Sequence, residues 1–158
     1  FRINAAYLDK FFQQPSPQGE IITAAQAAGD IPTLITVGGE ANLVRDFGRP
    51  EWRWTSALTW RKGPFGAGWF TSYVGSVQDT GIVRASDNAI WQIEDYQTHN
   101  VYVQYTIGED GEAPMRFRLG MRNVFDETPP LADTNFGYLG DLHNPAGRFV
   151  YASVRKQF

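Results

Sequence analysis

Few residues in this 158-residue chain combine the types and spacing that chemistry requires. Two carboxylate pairs, Glu94-Asp95 and Asp126-Glu127, could supply the acid and the base of a glycosidase. The members of each pair are adjacent, so on a strand they would point to opposite faces of the sheet. In a loop, such carboxylates are usually solvated or engaged in turns. The spacing therefore does not indicate catalysis, and we expect no enzyme activity.

The candidate metal ligands are His99 and the segment Asp141-Leu142-His143. Two separated histidines and one carboxylate do not complete a coordination shell. Because the chain has no Cys, disulfides, thiolate catalysis and Cys-ligated metals are excluded. The net charge of −3 does not favour a nucleic-acid partner. We expect neither a metal nor any other cofactor.

Two groups of residues could bind a ligand without doing chemistry. Arg116, Arg118 and Arg122 are spaced by two or four residues, so on a strand they share one face. Such a row could attract an anionic substrate, or it could pair with carboxylates of neighbouring segments. The second group consists of aromatic residues in long connecting segments, which could stack on a ligand or pack on one another. They are Phe47, Trp91, Phe136 and Tyr138.

Six segments that could position these residues alternate between apolar and polar side chains, with the period of two that is typical of strands. They are residues 1–7, 52–61, 65–78, 99–107, 116–122 and 148–158. Gly66, Gly68 and Gly75 make the facing of the third segment ambiguous. Aromatic residues reach 15%, and 16 Gly and 9 Pro fit strands and turns better than helices. The sequence predicts an all-β fold.

The connections between these segments alternate between short and long. Residues 62–64 and 108–113 are turn-like, whereas 14–50, 79–95 and 124–146 are long, and within the first of these 19–29 could form a short helix. Short turns on one side and long loops on the other are typical of outer-membrane β-barrels. No apolar run approaches the roughly 18 residues of a membrane-spanning helix.

The segment that begins at Trp52 also has the dimensions of a membrane strand. About eleven residues at roughly 3.3 Å each, tilted by about 40°, project to somewhat under 30 Å, close to the apolar band of a barrel. Trp52 and Trp54 would lie at one headgroup level and Trp60 at the other. The alternative is a soluble β-sandwich, for example a carbohydrate-binding module that uses Trp52, Trp54 or Trp91 as stacking platforms.

Three motifs resemble the C-terminal end of a TonB-dependent outer-membrane receptor. The first runs from Gly120 to Pro130 and resembles the family pattern at the end of the penultimate strand. The second, Gly147-Arg148-Phe149-Val150-Tyr151, resembles the opening of the last strand, and the third is the terminal aromatic Phe158. Val124 and Lys156 depart from the residues usual in the family. The motif residues of the first pattern are Asn123, Phe125, Asp126, Pro129 and Pro130.

The resemblance implies that residues 1–158 are about the last six strands of a barrel of roughly 22 strands. The plug domain and the TonB box would be absent, so that TonB is contacted only through the missing N-terminal part. The whole protein would import a scarce nutrient, such as a siderophore, a vitamin or a glycan, across the bacterial outer membrane. Its partners would be membrane lipid, the rest of the barrel and its plug, and an unknown small-molecule substrate.

The resemblance also assigns a role to the last strand. In the family, the barrel-assembly machinery reads the terminal strand through its aromatic end and its apolar face, which here carry Phe158, Val154 and Val150. Because six strands are too few to close a barrel, we expect an open, curved sheet with its apolar set exposed. That set is Trp54, Leu58, Val101, Leu119 and Val154. A closed core made of these side chains would instead indicate the sandwich.

Overall fold

The computed structural model describes residues 1–32, 41–46, 48–108 and 113–156. This part of the chain holds one helix, α1 (Pro17–Ala28), and ten strands. The strands are β1 (Arg2–Tyr7), β2 (Phe12–Gln13), β3 (Ala41–Asn42), β4 (Trp52–Lys62), β5 (Phe65–Val74), β6 (Val77–Val83), β7 (Ile90–Ile93), β8 (Tyr96–Ile107), β9 (Met115–Arg122) and β10 (Phe149–Lys156).

Six of these strands form one sheet in the order β1-β4-β5-β8-β9-β10, and every neighbouring pair is antiparallel. Within this sheet the strands lie in the order in which they occur along the chain, as in an up-and-down sheet, and the remaining four strands lie in the connections. Within the described residues, β1 and β10 are the two edges and do not pair with each other. The prediction of an all-β, antiparallel fold is confirmed, and the described sheet is open.

The register of the β4–β5 hairpin settles the facing that Gly66 and Gly68 leave ambiguous in the sequence. Lys62 pairs with Phe65 across a two-residue turn, and the predicted short connection at Gly63 is therefore confirmed. The same register places Trp54 opposite Tyr73 and carries the alternation on through β5. Because partners across a sheet point to the same side, the odd-numbered residues of β5 share a face with the even-numbered residues of β4.

The predicted third strand is wrong beyond Val74. There the chain leaves the sheet through Gly75, whose backbone N–H donates to the Trp52 carbonyl at 2.8 Å. Trp52 begins β4, so residues past Val74 have no partner strand on that side. Val77 instead begins β6, which pairs with β7 in a separate two-stranded sheet. The stretch 79–95, expected to be a loop, is largely this second hairpin.

The first long connection contains the helix expected at residues 19–29, and that prediction is confirmed by α1. The Ser16 hydroxyl accepts a hydrogen bond from the Gly19 backbone N–H at 3.0 Å, and Pro17 occupies the first turn. Both are usual at a helix start, because the first N–H groups have no partner within the helix. Gly29 ends the helix in the left-handed conformation that favours glycine (φ 80°). The β2–β3 pair flanks the helix in sequence.

The buried apolar cluster lies outside the six-stranded sheet. Val77 on β6 and Ile93 on β7 are each 1% exposed, and both pack with Ala132 of the 124–146 connection. Trp91, Leu139 and Leu142 surround this centre. The cluster therefore joins the second hairpin to the last long connection. In the described part of the chain, no second layer covers the apolar side of the six-stranded sheet.

Candidate functional site

The six-stranded sheet has one apolar face, defined by the side on which Trp54 and Leu58 lie. On this face Leu58, Leu119 and Val154 are 56%, 54% and 63% exposed. Trp54 and Val101, which share this face, are half-buried by their neighbours. The residues expected to be exposed therefore do not converge in a closed core. The register also places Ile3, Ala67, Val103 and Val150 on this face.

Aromatic rings mark both ends of the apolar face. At the loop end, where the long connections leave the sheet, the Trp54 and Tyr73 rings stack 5.4 Å apart. At the turn end, near Gly63, the Phe65 and Tyr105 rings are 4.9 Å apart. Trp52 to Trp60 spans eight residues of β4, or about 26 Å along the strand. Further rings at the two ends are Tyr7, Trp52, Trp60 and Phe117.

The opposite side, the polar face, carries the arginines of the sheet, whereas Lys62 and Lys156, at the turn-end tips of β4 and β10, lie on the apolar side by the register. Seven arginines lie there by the pairing register, and none of the Asp or Glu residues lies on any of the six strands. In the described part of the chain, no carboxylate forms a salt bridge with any of the seven. The arginines are Arg2, Arg53, Arg61, Arg116, Arg118, Arg122 and Arg155.

The predicted row of Arg116, Arg118 and Arg122 shares the polar face, as the alternation indicated. Arg118 lies 4.2 Å above the centre of the Tyr102 ring and donates to the Gln104 side-chain oxygen at 2.9 Å. Arg122 lies 5.8 Å from the centre of the Tyr151 ring. These contacts hold two of the three guanidinium groups along the sheet surface.

Two tyrosines of the polar face lie flat over glycines of the neighbouring strand. A Cβ added at Gly68 would collide with the Tyr102 ring, and a Cβ added at Gly120 would collide with the Tyr151 ring. These glycines therefore provide space for the rings on which Arg118 and Arg122 rest. Sequence reasoning missed this arrangement, although Gly68 and Gly120 fall on the parity of the polar residues.

Residues of the resemblance motif form a cluster of hydrogen bonds between the end of β9 and the start of β10. The Asn123 amide nitrogen donates to the carbonyls of Glu127 at 2.8 Å and Ala146 at 3.3 Å, and its oxygen accepts from the Glu127 N–H at 2.9 Å. The Arg148 N–H donates to the Asp126 carboxylate at 2.6 Å. Asn123 is 5% exposed and adopts φ 47°, a conformation that Asn tolerates better than most residues. These motif residues tie the two ends of the last long connection together.

The other motif residues lie around this hydrogen-bond cluster. Phe125 is 61% exposed and meets the His99 ring edge-on at 5.2 Å. Gly147 lies against the Asp126 carboxylate, where a Cβ would approach one of its oxygens to 3.0 Å. Pro129 and Pro130 are half-buried in the connection that follows.

The loop aromatics fall into two situations. Trp91 packs on the buried cluster, and its indole N–H donates to the Leu131 carbonyl at 3.1 Å. Phe136, in contrast, is 79% exposed, and its ring lies 6.3 Å from that of Tyr138. Of the predicted ligand contacts, Phe136 thus has the free surface and Trp91 has a packing role. Phe47 lies outside the described residues.

The two histidines are engaged separately. The His99 Nδ1 lies 3.0 Å from the Thr71 hydroxyl and 3.2 Å from the Trp69 indole nitrogen. His143 is 3% exposed, meets the Tyr96 ring edge-on at 5.2 Å, and burial lowers the pKa of its imidazole. Its Nδ1 has no hydrogen-bond partner among the described residues. In that same part of the chain, no three His, Cys, Asp or Glu side chains are grouped as a metal site.

The two carboxylate pairs lie in connections at the loop end of the sheet, one before β8 and one after β9. The Asp126 carboxylate is engaged by Arg148, and Glu94-Asp95 links β7 to β8. A shallow depression of about 220 Å³ at the loop end of the sheet is lined by Asn4, Arg53 and Ser72, among others.

The residues assigned to assembly lie on an edge strand. Val150 and Val154 are 55% and 63% exposed on β10, whose outer side pairs with no described strand. Phe158 lies outside the described residues. The exposed valines and the bare edge are thus both accessible.

A scan against protein-family models, a search of curated proteins and a search of solved structures each found no match to this chain. Within the described ranges, no helix combines the length and the apolar character needed to cross a bilayer.

Proposed function

We propose that this chain is part of the wall of an outer-membrane β-barrel that belongs to a TonB-dependent nutrient transporter. The observation that carries the proposal is the apolar face, which stays uncovered across all six strands. Six strands at about 4.8 Å spacing and roughly 26 Å of length make a face of about 600 Å² in projection. Exposed apolar patches of this size indicate a protein or membrane interface.

The layout of the face favours lipid over a protein partner. Its middle rows hold the aliphatic Leu58, Val103 and Leu119 together with Trp69, which lies opposite Leu58, and pairs of aromatic rings lie at both ends. Aromatic girdles on either side of an apolar band are the pattern of lipid-facing barrel surfaces. A strand tilt of about 40° reduces the spacing between Trp52 and Trp60 to about 20 Å measured along the membrane normal. This is comparable to the apolar band of such barrels, which is about 25 Å tall.

The polar face would then meet water inside the barrel. A lumen lined by arginines is compatible with a water-filled or plugged interior. The two edges of the sheet require further strands, because each unpaired backbone group in lipid costs several kcal/mol. The rest of the barrel and its plug are therefore the expected protein partners, and membrane lipid is the partner of the apolar face.

The motif residues support the assignment to the TonB-dependent family. Three residues that carry the resemblance, Asn123, Asp126 and Arg148, also form the hydrogen bonds between β9 and β10. Gly147 lies against the Asp126 carboxylate. In the proposed protein, the barrel-assembly machinery recognises β10 through its free edge and its exposed valines. The imported nutrient enters from the loop end, where Phe136 is exposed.

The alternative of a soluble carbohydrate-binding module fits less well. Trp52 and Trp54 pair with Tyr7 and Tyr73 on the same uncovered face, and Trp91 packs into the buried cluster. A sandwich would need a second layer over Leu58 and Leu119, which the described residues do not provide.

One pair of substitutions tests the membrane assignment in the full-length protein produced in a Gram-negative host. Leu58→Arg places a charge on the apolar face, which costs about 2–4 kcal/mol at the middle of a bilayer. Thr59→Arg places the same charge on the polar face one residue away. We expect Leu58→Arg to reduce the folded, heat-modifiable band in outer-membrane fractions severalfold, and Thr59→Arg to leave it near the unsubstituted level. Equal loss in both variants, or no outer-membrane band at all, would refute the barrel.

The transporter assignment needs a separate measurement. We expect the full-length protein to bind the periplasmic domain of TonB, and residues 1–158 in detergent not to bind it. Binding would be measured by surface plasmon resonance with the TonB domain immobilised. A full-length protein that folds as a barrel and shows no TonB binding would leave the membrane assignment standing and remove the transporter.

A further inference from the structure

Two arginines of the polar face stand directly opposite each other on adjacent strands. The register pairs Arg155 of β10 with Arg116 of β9, while Arg118 lies two residues further along β9. Directly opposed side chains have Cβ atoms about 4.5–5.5 Å apart, and like charges in that position destabilise a sheet. The sheet thus holds a concentration of positive charge at its turn end that its own strands do not compensate.

A second observation concerns the guanidinium of Arg116. Its Nε is shielded from solvent and has no hydrogen-bond partner among the described residues. A buried donor without an acceptor costs free energy, more so when it is charged. Arg118, in contrast, is already held by Gln104 and by the Tyr102 ring. A negatively charged hydrogen-bond acceptor would therefore be most favourable between Arg116 and Arg155.

We propose that Arg116, Arg155 and Arg118 form a binding site for an oxyanion, a phosphate or carboxylate group of a dissolved solute. The planar fork of arginine binds such groups through two parallel hydrogen bonds. Thr106, opposite Arg116, and Ser153, opposite Arg118, place hydroxyl groups at the rim of the site. One bound anion relieves the repulsion between the two arginines and gives the Arg116 Nε an acceptor.

The inference deepens the proposed function, because it names the chemistry of a solute that can occupy the barrel interior. It rests on that function only in requiring that the polar face meets water. Anion binding to the purified protein in detergent therefore tests this site. Membrane location is tested by the Leu58→Arg and Thr59→Arg variants, and TonB binding by surface plasmon resonance. Failure of the site would leave the barrel intact, and failure of the transporter would leave the anion site open to measurement.

The test is isothermal titration of inorganic phosphate into the full-length protein in a non-ionic detergent at low ionic strength. We expect saturable binding that Arg155→Gln and Arg116→Gln each weaken by about tenfold or more, as loss of a charge-assisted hydrogen bond implies. The matched control is Arg61→Gln, which removes the same charge from the same face near the same turn end. Arg61 faces Gly66 and has no arginine opposite it, so its loss should change the affinity less than about twofold.

A second measurement protects the test against misfolded variants. Without phosphate and at low salt, Arg155→Gln should raise the unfolding midpoint by relieving the repulsion, and Arg61→Gln should not. Absence of saturable binding, or equal weakening by Arg61→Gln, would overturn the proposal.

Acidic residues next in sequence to β8 provide the competing explanation, since Glu109, Asp110 and Glu112 could neutralise the arginines themselves. These residues lie outside the described part of the chain. Replacing all three by their amides should leave phosphate binding intact or strengthen it. If phosphate instead fails to bind unless the three carboxylates are removed, the turn is the partner of the arginines and the solute site is wrong.

Discussion

Asn123 shows how a single residue secures the end of the sheet. Its side chain makes three hydrogen bonds to the 124–146 connection, and its own N–H donates to the Asn100 side chain at 2.9 Å. Because the side chain is buried, its partners would lose their hydrogen bonds without gaining water. The backbone of Asn123 is left-handed, a conformation that Asn adopts more readily than most residues other than Gly.

We expect Asn123→Ala to destabilise the folded protein by about 2–4 kcal/mol, from the lost hydrogen bonds and the backbone conformation together. Asn123→Gly removes the same hydrogen bonds but accepts the left-handed backbone, so it should be less harmful by about 1 kcal/mol. Urea unfolding of the protein in detergent measures both values. Equal stability of the two variants would show that the backbone term is absent.

His143 makes the last long connection sensitive to pH. Burial lowers the pKa of its imidazole below the ordinary value of 6.5, so the folded state holds the neutral ring. At pH below about 6.5 the unfolded segment binds a proton that the folded one does not, and the stability of the packed connection falls with pH. It is fully present above that pH and is lost progressively as pH decreases.

The measurement is hydrogen exchange of the Leu142 and His143 amides, which donate to the Leu139 carbonyl. We expect their protection to fall between about pH 7 and pH 5, and the fall to be much smaller in His143→Gln. A pH dependence that survives in His143→Gln would assign the titration to another group.

At the scale of the elements, cross-strand packing on the polar face decides how the strands fit together. Tyr102 over Gly68 and Tyr151 over Gly120 repeat the same arrangement on two strand pairs. The Tyr102 ring is also held by Phe70, at 6.0 Å, and by Arg118, so it cannot move away without losing these contacts.

Gly68→Ala should therefore destabilise the protein by about 1–3 kcal/mol, the usual cost of overpacking. In Gly68→Ala/Tyr102→Ala the clash is absent, and the added cost of the alanine at 68 should largely disappear. A double-mutant cycle from urea unfolding gives the coupling directly. Gly140→Ala is the control, because a Cβ there meets its nearest neighbour only at 4.0 Å. No coupling between positions 68 and 102 would contradict the packing argument.

The elements also show what alternation can predict and what it cannot. The alternation identified all six strands of the sheet, because each side chain of a strand must face one side or the other. It failed at Gly66 and Gly68, because the reason for these glycines lies in the side chains of the next strand. It also extended the third strand past Val74. Where β5 ends depends on where its neighbour β4 begins, at Trp52, and the sequence of β5 itself does not contain that information.

The candidate sites were predictable to a similar degree. Alternation placed Arg116, Arg118 and Arg122 on one face, and the motif residues Asn123 and Asp126 lie together as neighbours in sequence would. The opposition of Arg116 to Arg155 depends on the register between β9 and β10, which neither strand specifies alone. The hydrogen bond between the Trp91 indole and Leu131 joins residues 40 apart, beyond the reach of any local pattern.

At the scale of the whole molecule, the described chain is a single-layered sheet with a small buried cluster at its loop end. Its stability therefore cannot come from a central core of its own, and Val77, Ile93 and Ala132 hold the connections rather than the sheet. In the proposed barrel, hydrocarbon on one face and further strands at both edges would take the place of such a core.

Both edges expose backbone donors and acceptors in an orientation that another copy of the chain can match. Strands of this kind join end to end when nothing blocks them, and the oily sides of two such ribbons then adhere. Residues 1–158 released into plain buffer should consequently grow into filaments that bind thioflavin T. Detergent above its micellar concentration should suppress that growth, whereas a chain that remains monomeric and non-fibrillar without detergent would contradict it. In the proposed membrane protein, selection would then act on how quickly newly made strands reach the bilayer as much as on the finished structure.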